Sequence, residues 1–258
     1  MPQPTRKDLI LLARHNRLMR LIERPYAFAI VQEKNRYIRA IAADYDVTIG
    51  LSVRELLIHT ENMFKISEKY NVKAIRAFAN DFKVAQVKSL KFFEKKQTEF
   101  ESFINSLFQY WIINQTGKDA KETAETTQDD IKRAIEAARE SGETSSTQIA
   151  KKILRTRSLS AFRADAIART ETHNAAMYAT KESASKLQVD TESNLNKYWI
   201  AVHDTRTRDR HAAMSSHSAI PLDSKFDVGG QMMDRPGDPA GGAKNVINCR
   251  CTIAFEVV

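Results

Sequence analysis

Apolar residues recur every three or four positions through most of the first 190 residues, the spacing of amphipathic helices. Leu9, Leu12, Ala13 and Leu18 predict a helix over Arg6–Glu23, which Pro25 is expected to end. A second helix is expected over about 26–43, then a break from Asp44 to Gly50. Ser52 can cap a helix from Val53 to about Tyr70, with Glu55 completing a capping box, and Val72–Phe82 continues in the same style. The strongest pattern runs from Asp81 to Asn114, where Phe82, Phe93, Phe100, Phe103, Ile104, Leu107, Phe108, Trp111 and Ile112 share one stripe. Such a stripe forms a bundle core or a partner-binding face. No proline interrupts the chain between Tyr26 and Ile220, which favours helices with short connections.

Thr116–Thr127 (TGKDAKETAETT) has little to bury and reads as a linker or exposed turn. This places a domain boundary near residue 120, with a helical region 1–120 and a second region 121–258. Thr127 and Asp130 form a capping box for a helix through Glu140, and Ser141–Thr147 is a second break. A short helix over Ile149–Arg155 follows, then a long one from Ser160 to about Leu187 with a narrow face of small residues. Three short helices in succession can suggest a helix-turn-helix, but the turn lacks glycine and no base-reading face is evident. From about Asn196 the texture changes. Lys197–Val202 and Cys251–Val257 read as strands, and Ile220–Asp223 as a sheet-edge element. Gly229-Gly230 and Pro236–Gly242 read as turns or a long loop. The fold class is α+β: mostly helical N-terminal and central regions (helices over 127–190), then a small loop-rich α+β module over 195–258.

The 258 residues carry a net charge of +8, and the excess is uneven. Residues 1–100 hold 19 Lys and Arg against 11 Asp and Glu, whereas residues 201–258 balance at 7 against 7. The positive field therefore lies on the helices, where it suits nucleic acid or an acidic protein surface, or is a solvated face. No apolar run approaches a membrane span, and the N-terminus reads as neither signal peptide nor anchor. A reducing cytoplasm, or a particle assembled there, is the expected setting, with no membrane partner.

Candidate chemistry is concentrated after Trp199. Cys249-Arg250-Cys251 is a C-x-C pair, a weaker zinc signal than C-x2-C. Its thiolates can hold a soft ion such as zinc given two more ligands, for which His203, His211 and His217 are candidates, or they can be buried reduced thiols. A disulfide this tight is geometrically poor. Asp204, Thr205, Arg206, Arg208, Asp209 and His211 form an acid–base pair or a structural network with Asp204 capping the helix of His211. On the long helix, Arg169 can pair with Asp165, or Arg169 and Glu171 can reach the polar turns of the C-terminal module. No GxSxG, HExxH or phosphate-cradle motif is present, so nothing in the sequence demands an enzyme. The competing reading is a metal-assisted hydrolase or nuclease using Asp204, His211, Cys249 and Cys251.

Several stretches agree in order and spacing with one family. They are IARTET with Arg169, Thr170 and Glu171; W-x-A-x-x-D-x-R-T-R-x-x-H with Trp199, Asp204, Arg206, Thr207, Arg208 and His211; P-L-D; F-x-V-G-G; and R-P-G-D-P-A-G-G-A-x-N-V-I-N-C-R-C with Gly237, Asp238, Asn248, Cys249, Arg250 and Cys251. Together they resemble the phage Mu F-like head morphogenesis family over about Arg163–Cys251. Met214-Ser215-Ser216-His217 departs from the acidic-or-Asn-then-Gly turn of that family. The resemblance implies a minor head protein inside the capsid of a tailed phage or prophage, made in the host cytoplasm. It implies the portal protein as partner, with scaffold, major capsid protein or DNA as further ones, and roles in head assembly, DNA packaging or ejection. It implies no cofactor; zinc enters only through His211, Cys249 and Cys251.

Overall fold

A computed structural model describes residues 5–45, 53–87, 97–143, 145–155 and 161–258. Helices dominate up to residue 191, and short strands follow, as the α+β reading expects. The described helices are α1 (Arg6–Asp44), α2 (Val53–Val87), α3 (Gln97–Trp111), α4 (Gly117–Glu140), α5 (Ser146–Ile153) and α6 (Ala161–Thr191), followed by the short α7 (Asp209–Met214) and α8 (Gly242–Val246). The strands are β1 (Leu195–Ile200), β2 (Ile220–Pro221), β3 (Phe226–Asp227), β4 (Met232–Met233) and β5 (Thr252–Val257).

The first helix corrects the expectation of a stop at Pro25, because α1 runs through it. Proline removes one backbone donor and so frees the carbonyl of Leu21. Leu21 and Pro25 are both exposed, so water can take that carbonyl. Met19, Ile22, Tyr26 and Ala27 are buried on the other side and hold the helix together. Ser52, the expected cap of α2, lies outside the described residues, as does 88–96 of the stripe that begins at Phe82. The described part of that stripe is core: Phe100, Ile104, Leu107, Phe108 and Trp111 are buried.

Thr116–Thr127 is not a linker. A five-residue π-helical turn, Ile112–Thr116, follows α3 directly and leads into α4. Ala120, Thr123, Ala124 and Thr127 are buried on one face of α4. The composition misleads because small and hydroxylated residues bury cheaply where helices approach closely. Thr127 supplies no cap: its hydroxyl donates to the Thr123 carbonyl at 2.9 Å inside the helix.

The chain packs into two compact units that differ from a division at residue 120. One comprises the described residues of Met1–Glu23, Asn71–Trp111 and Arg169–Val258; the other those of Arg24–Tyr70 and Ile112–Ala168. In the second unit, Tyr37, Ile38 and Ile41 of α1 pack with Ile131 and Ile135 of α4 and Ile149 and Ile153 of α5. A buried polar group is built into this unit around Glu33. Glu33 accepts from Arg36 and Asn62 and meets His59 Nδ1 at 3.0 Å, and Tyr37 stacks on His59.

In the first unit, β1 is the centre of an antiparallel sheet ordered β2-β1-β5. Its register with β5 runs from Leu195 opposite Val257 to Ile200 opposite Thr252. Among the described residues the edge strand β2, containing Pro221, pairs with β1 alone, an edge position in which proline is tolerated. The strand expected at Lys197–Val202 is shifted two residues towards the N-terminus. Leu11 and Leu12 of α1 pack against Ile200, Val202 and Ala254. A small hairpin, β3–β4, turns at Gly229-Gly230, both at positive φ (63° and 82°), as a two-residue turn of this hand requires. Pro236–Gly242, expected as loop, contains a 3-10 turn over Pro239–Gly241 and leads into α8.

If α4 is a packed helix from its start, Ala124→Asp buries a carboxylate with no partner. The expected loss is about 3 kcal/mol or more of unfolding free energy in a urea titration, against no change for an exposed linker.

Candidate functional site

Most of the sequence-marked residues meet around the start of β5, brought there by α6, β1, α7 and the 204–208 turn. Asn248 sits at φ 56°, a left-handed conformation that asparagine tolerates better than most residues. Its N–H donates to Thr170 Oγ1 at 3.1 Å, and its side-chain carbonyl accepts from Arg169 at 3.5 Å. Arg169 also lies 3.6 Å from Glu23. It therefore reaches the C-terminal turns, in line with the docking alternative. One turn on from Arg169, His173 Nε2 meets the Cys251 carbonyl at 2.8 Å. The thiols of Cys249 and Cys251 are both buried and unpaired by any disulfide.

The short helix α7 supplies His211, which is 2% exposed. Its Nδ1 lies 3.7 Å from Cys249 Sγ and 3.5 Å from Cys251 Sγ. Trp199, buried on β1, sets its ring edge-to-face with the imidazole at 5.4 Å and with Phe226 at 5.4 Å. The Cys251 thiol donates to Cys249 and lowers the tendency of Cys249 to hold its proton, while Cys251 is held protonated. The two sulfurs thus behave as one titrating pair.

A polar frame surrounds this cluster. The Asp204 carboxylate accepts two 2.6 Å bonds from Arg250 and one of 3.0 Å from the Arg206 N–H. It also accepts from the Thr207 hydroxyl at 3.1 Å. Arg250, then the turn itself, hold the carboxyl well below the usual range. The Thr207 hydroxyl also donates to the Val202 carbonyl, and Arg208 donates to the Ile247 carbonyl at 2.6 Å. Residues 204–208 are therefore fastened to 247–250. Asp204 does not cap α7; Arg208 occupies that position. Nor does Asp204 join the sulfur–imidazole group, so the four residues of the hydrolase reading do not converge. His203 and His217 are exposed and stand outside the group as well.

Gly237 and Asp238 shape the remaining loop. Asp238 accepts from the N–H of Ala240 at 3.0 Å and of Asp234 at 2.7 Å. Gly237 has φ 76°, and a Cβ there would stand 2.6 Å from His173 Nδ1. Glu171, on α6, is buried, and burial pushes its carboxyl up to about 8.

Sequence reasoning passed over His173, Lys197, Asp234 and Arg235. Lys197 is fully buried and donates to the Asp234 carbonyl (2.7 Å) and carboxylate (2.6 Å). Arg235 is buried with its guanidinium 5.6 Å from the Tyr178 ring centre. The available signal was polarity in an apolar setting: Thr172-His173-Asn174 interrupts an alanine-rich helix, and Lys197 alternates with strand residues.

Residues 129–254 match the family described as "Phage Mu protein F like protein". The chain is similar to the minor head protein GP7 of Bacillus phage SPP1, at 32% identity over 112 residues. That alignment covers 43% of this chain and 35% of the relative. No solved structure matches the chain.

Gly237→Ala combines a left-handed backbone with a clash against a buried ring. It is expected to cost about 2 kcal/mol or more in chemical denaturation. Glu171 gives a pH signature. Unfolded it titrates near 4.5, folded near 8, so between these values the folded state holds a proton that the unfolded state has lost. Stability contributed by this group is complete below 4.5 and declines as pH rises towards 8. Glu171→Gln is expected to flatten that decline in urea midpoints measured across the range; an equal decline in the variant would refute the assignment.

Proposed function

Through residues 129–254 the chain belongs to the Phage Mu protein F like family, and on that premise we propose that it is a minor head protein of a tailed bacteriophage or prophage. The observation that carries the reading is the match itself, which spans the second half of α4, all of α5 and α6, the sheet up to the middle of β5 and the buried His211–Cys249–Cys251 cluster. The name of the SPP1 relative points the same way. The marked residues are engaged mainly with one another: Asp204 with Arg250, Arg208 with the Ile247 carbonyl, Asn248 with Arg169 and Thr170. Such a module supplies a fixed shape to an assembly.

The protein resides inside the head and acts in its assembly, with the portal as its principal partner. Support for protein contact comes from apolar side chains left exposed on long helices, including Ile10, Leu21 and Phe28 of α1 and Phe162 of α6. Support for DNA contact during packaging or ejection comes from the basic excess of residues 1–100, 19 against 11. No helix among the described residues is long and apolar enough to cross a membrane.

Quantitative peptide mass spectrometry on purified particles and on empty precursor heads tests this. A few copies per particle in both are expected, with cross-links to the portal; absence from both overturns the reading. Binding of DNA is expected to weaken steeply with salt, and its absence at low salt removes the DNA role alone.

A further inference from the structure

Three soft or borderline donors, one imidazole nitrogen and two sulfurs, are buried in contact with one another. His211 Nδ1, Cys249 Sγ and Cys251 Sγ all lie within 4.8 Å of each other. The imidazole–sulfur separations are 3.7 and 3.5 Å. A tetrahedral zinc ion with bonds of ordinary length holds its nitrogen and sulfur donors about 3.6 Å apart. The observed spacing is thus that of ligands around an ion, reached from two separate segments of chain. The charge also balances. Two thiolates and a neutral imidazole around a divalent ion sum to zero, the cheapest state for a buried centre. Sulfur with imidazole selects zinc over the hard, oxygen-loving cations.

A fourth donor is needed. Beside the three residues lies a cavity of about 10 Å³, lined also by Thr207, Asn248 and Arg250. This is about the space that one water occupies. Across the imidazole, Nε2 has no hydrogen-bond partner, and the Trp199 ring packs edge-to-face against it. Nδ1 is therefore the nitrogen presented to the sulfurs.

We propose that His211 Nδ1 and the sulfurs of Cys249 and Cys251 bind one zinc ion, with a water as the fourth ligand, and that the ion fastens α7 to the start of β5. The role is structural. The ion closes the chain between His211 and Cys249, adding a tie to a stretch anchored elsewhere by Phe226, Asp234 and Arg235. Binding releases the thiol protons, so affinity falls as pH falls.

The test uses the full chain, purified from zinc-supplemented cells. Elemental analysis is expected to give one zinc per chain. After chelation, titration with cobalt(II) is expected to produce a sulfur-to-cobalt charge-transfer band and tetrahedral d–d absorption, saturating at one equivalent. Cys249→Ser and Cys251→Ser are expected to lose the band, and His211→Ala to shift or lose it. The exposed-site variants His203→Ala and His217→Ala are expected to keep it. Because a ligand variant can fail to fold, the wild-type titration stands on its own. Chelated wild type that melts at lower temperature and recovers with zinc supports the proposal. No zinc above trace levels together with no cobalt band overturns it, as does an unchanged band in the Cys249→Ser/Cys251→Ser double variant. The outcome is independent of whether the protein is found in virions.

Discussion

One helical face of α6 reads the C-terminal chain in order. Thr170, His173 and Met177 lie three and four residues apart, on the same side of the helix. They meet, in sequence, the Asn248 N–H, the Cys251 carbonyl and the Thr252 hydroxyl. The helix rises about 10 Å over those seven residues, which suits the near-extended chain laid along it. This alignment requires that nothing bulky intervene. Gly237, which has no Cβ to meet the His173 ring, leaves the imidazole its place. A side chain in its place would push the imidazole and disturb its bond to the Cys251 carbonyl. The positions of both cysteines, and so of everything facing His211, follow from this contact.

The module built on that face is stabilised differently from the helical parts. In the helices, isoleucines and aromatics from separate segments form clusters such as the one around Ile131 and Ile149. In the module, a three-stranded sheet covers little area, and buried charges take the place of further apolar residues. Lys197 is answered by Asp234, and Arg235 lies over Tyr178. Such pairs add less net stability than apolar packing, but removing one partner leaves a stranded charge, so they penalise any other arrangement of the loops. The Asp204–Arg250 pair, more exposed, adds orientation more than energy.

The helical texture and the change near Asn196 were legible in the sequence because periodicity and proline placement report directly on backbone hydrogen bonding. Three features were not. Pro25 does not end α1, where Leu21 and Pro25 lie on the exposed side and water can take the freed carbonyl. Thr116–Thr127 looks polar, yet alanine and threonine suffice to bury one face of α4. Pro239-Ala240-Gly241 resembles a loop because a single 3-10 turn is too short to show a period. For the site, the motif residues were visible as a set, and the nearness of His211 to Cys249 and Cys251 was among the open alternatives. The role of His173 was not visible, because its partner is a backbone carbonyl, which leaves no trace in residue identity.

The interleaving of the two units bears on how the chain is made. Residues up to Glu23 pack in the same unit as Arg169–Val258, so the ribosome delivers the first part of that unit well before the last. At ordinary rates of synthesis the interval is roughly 10–50 s. Throughout it Leu12, which is covered in the finished fold by Ile200 and Ala254, has neither of those neighbours. The nascent protein therefore carries a sticky amphipathic helix for far longer than the helix itself needs to form, and its yield is set by what shields that surface in the meantime.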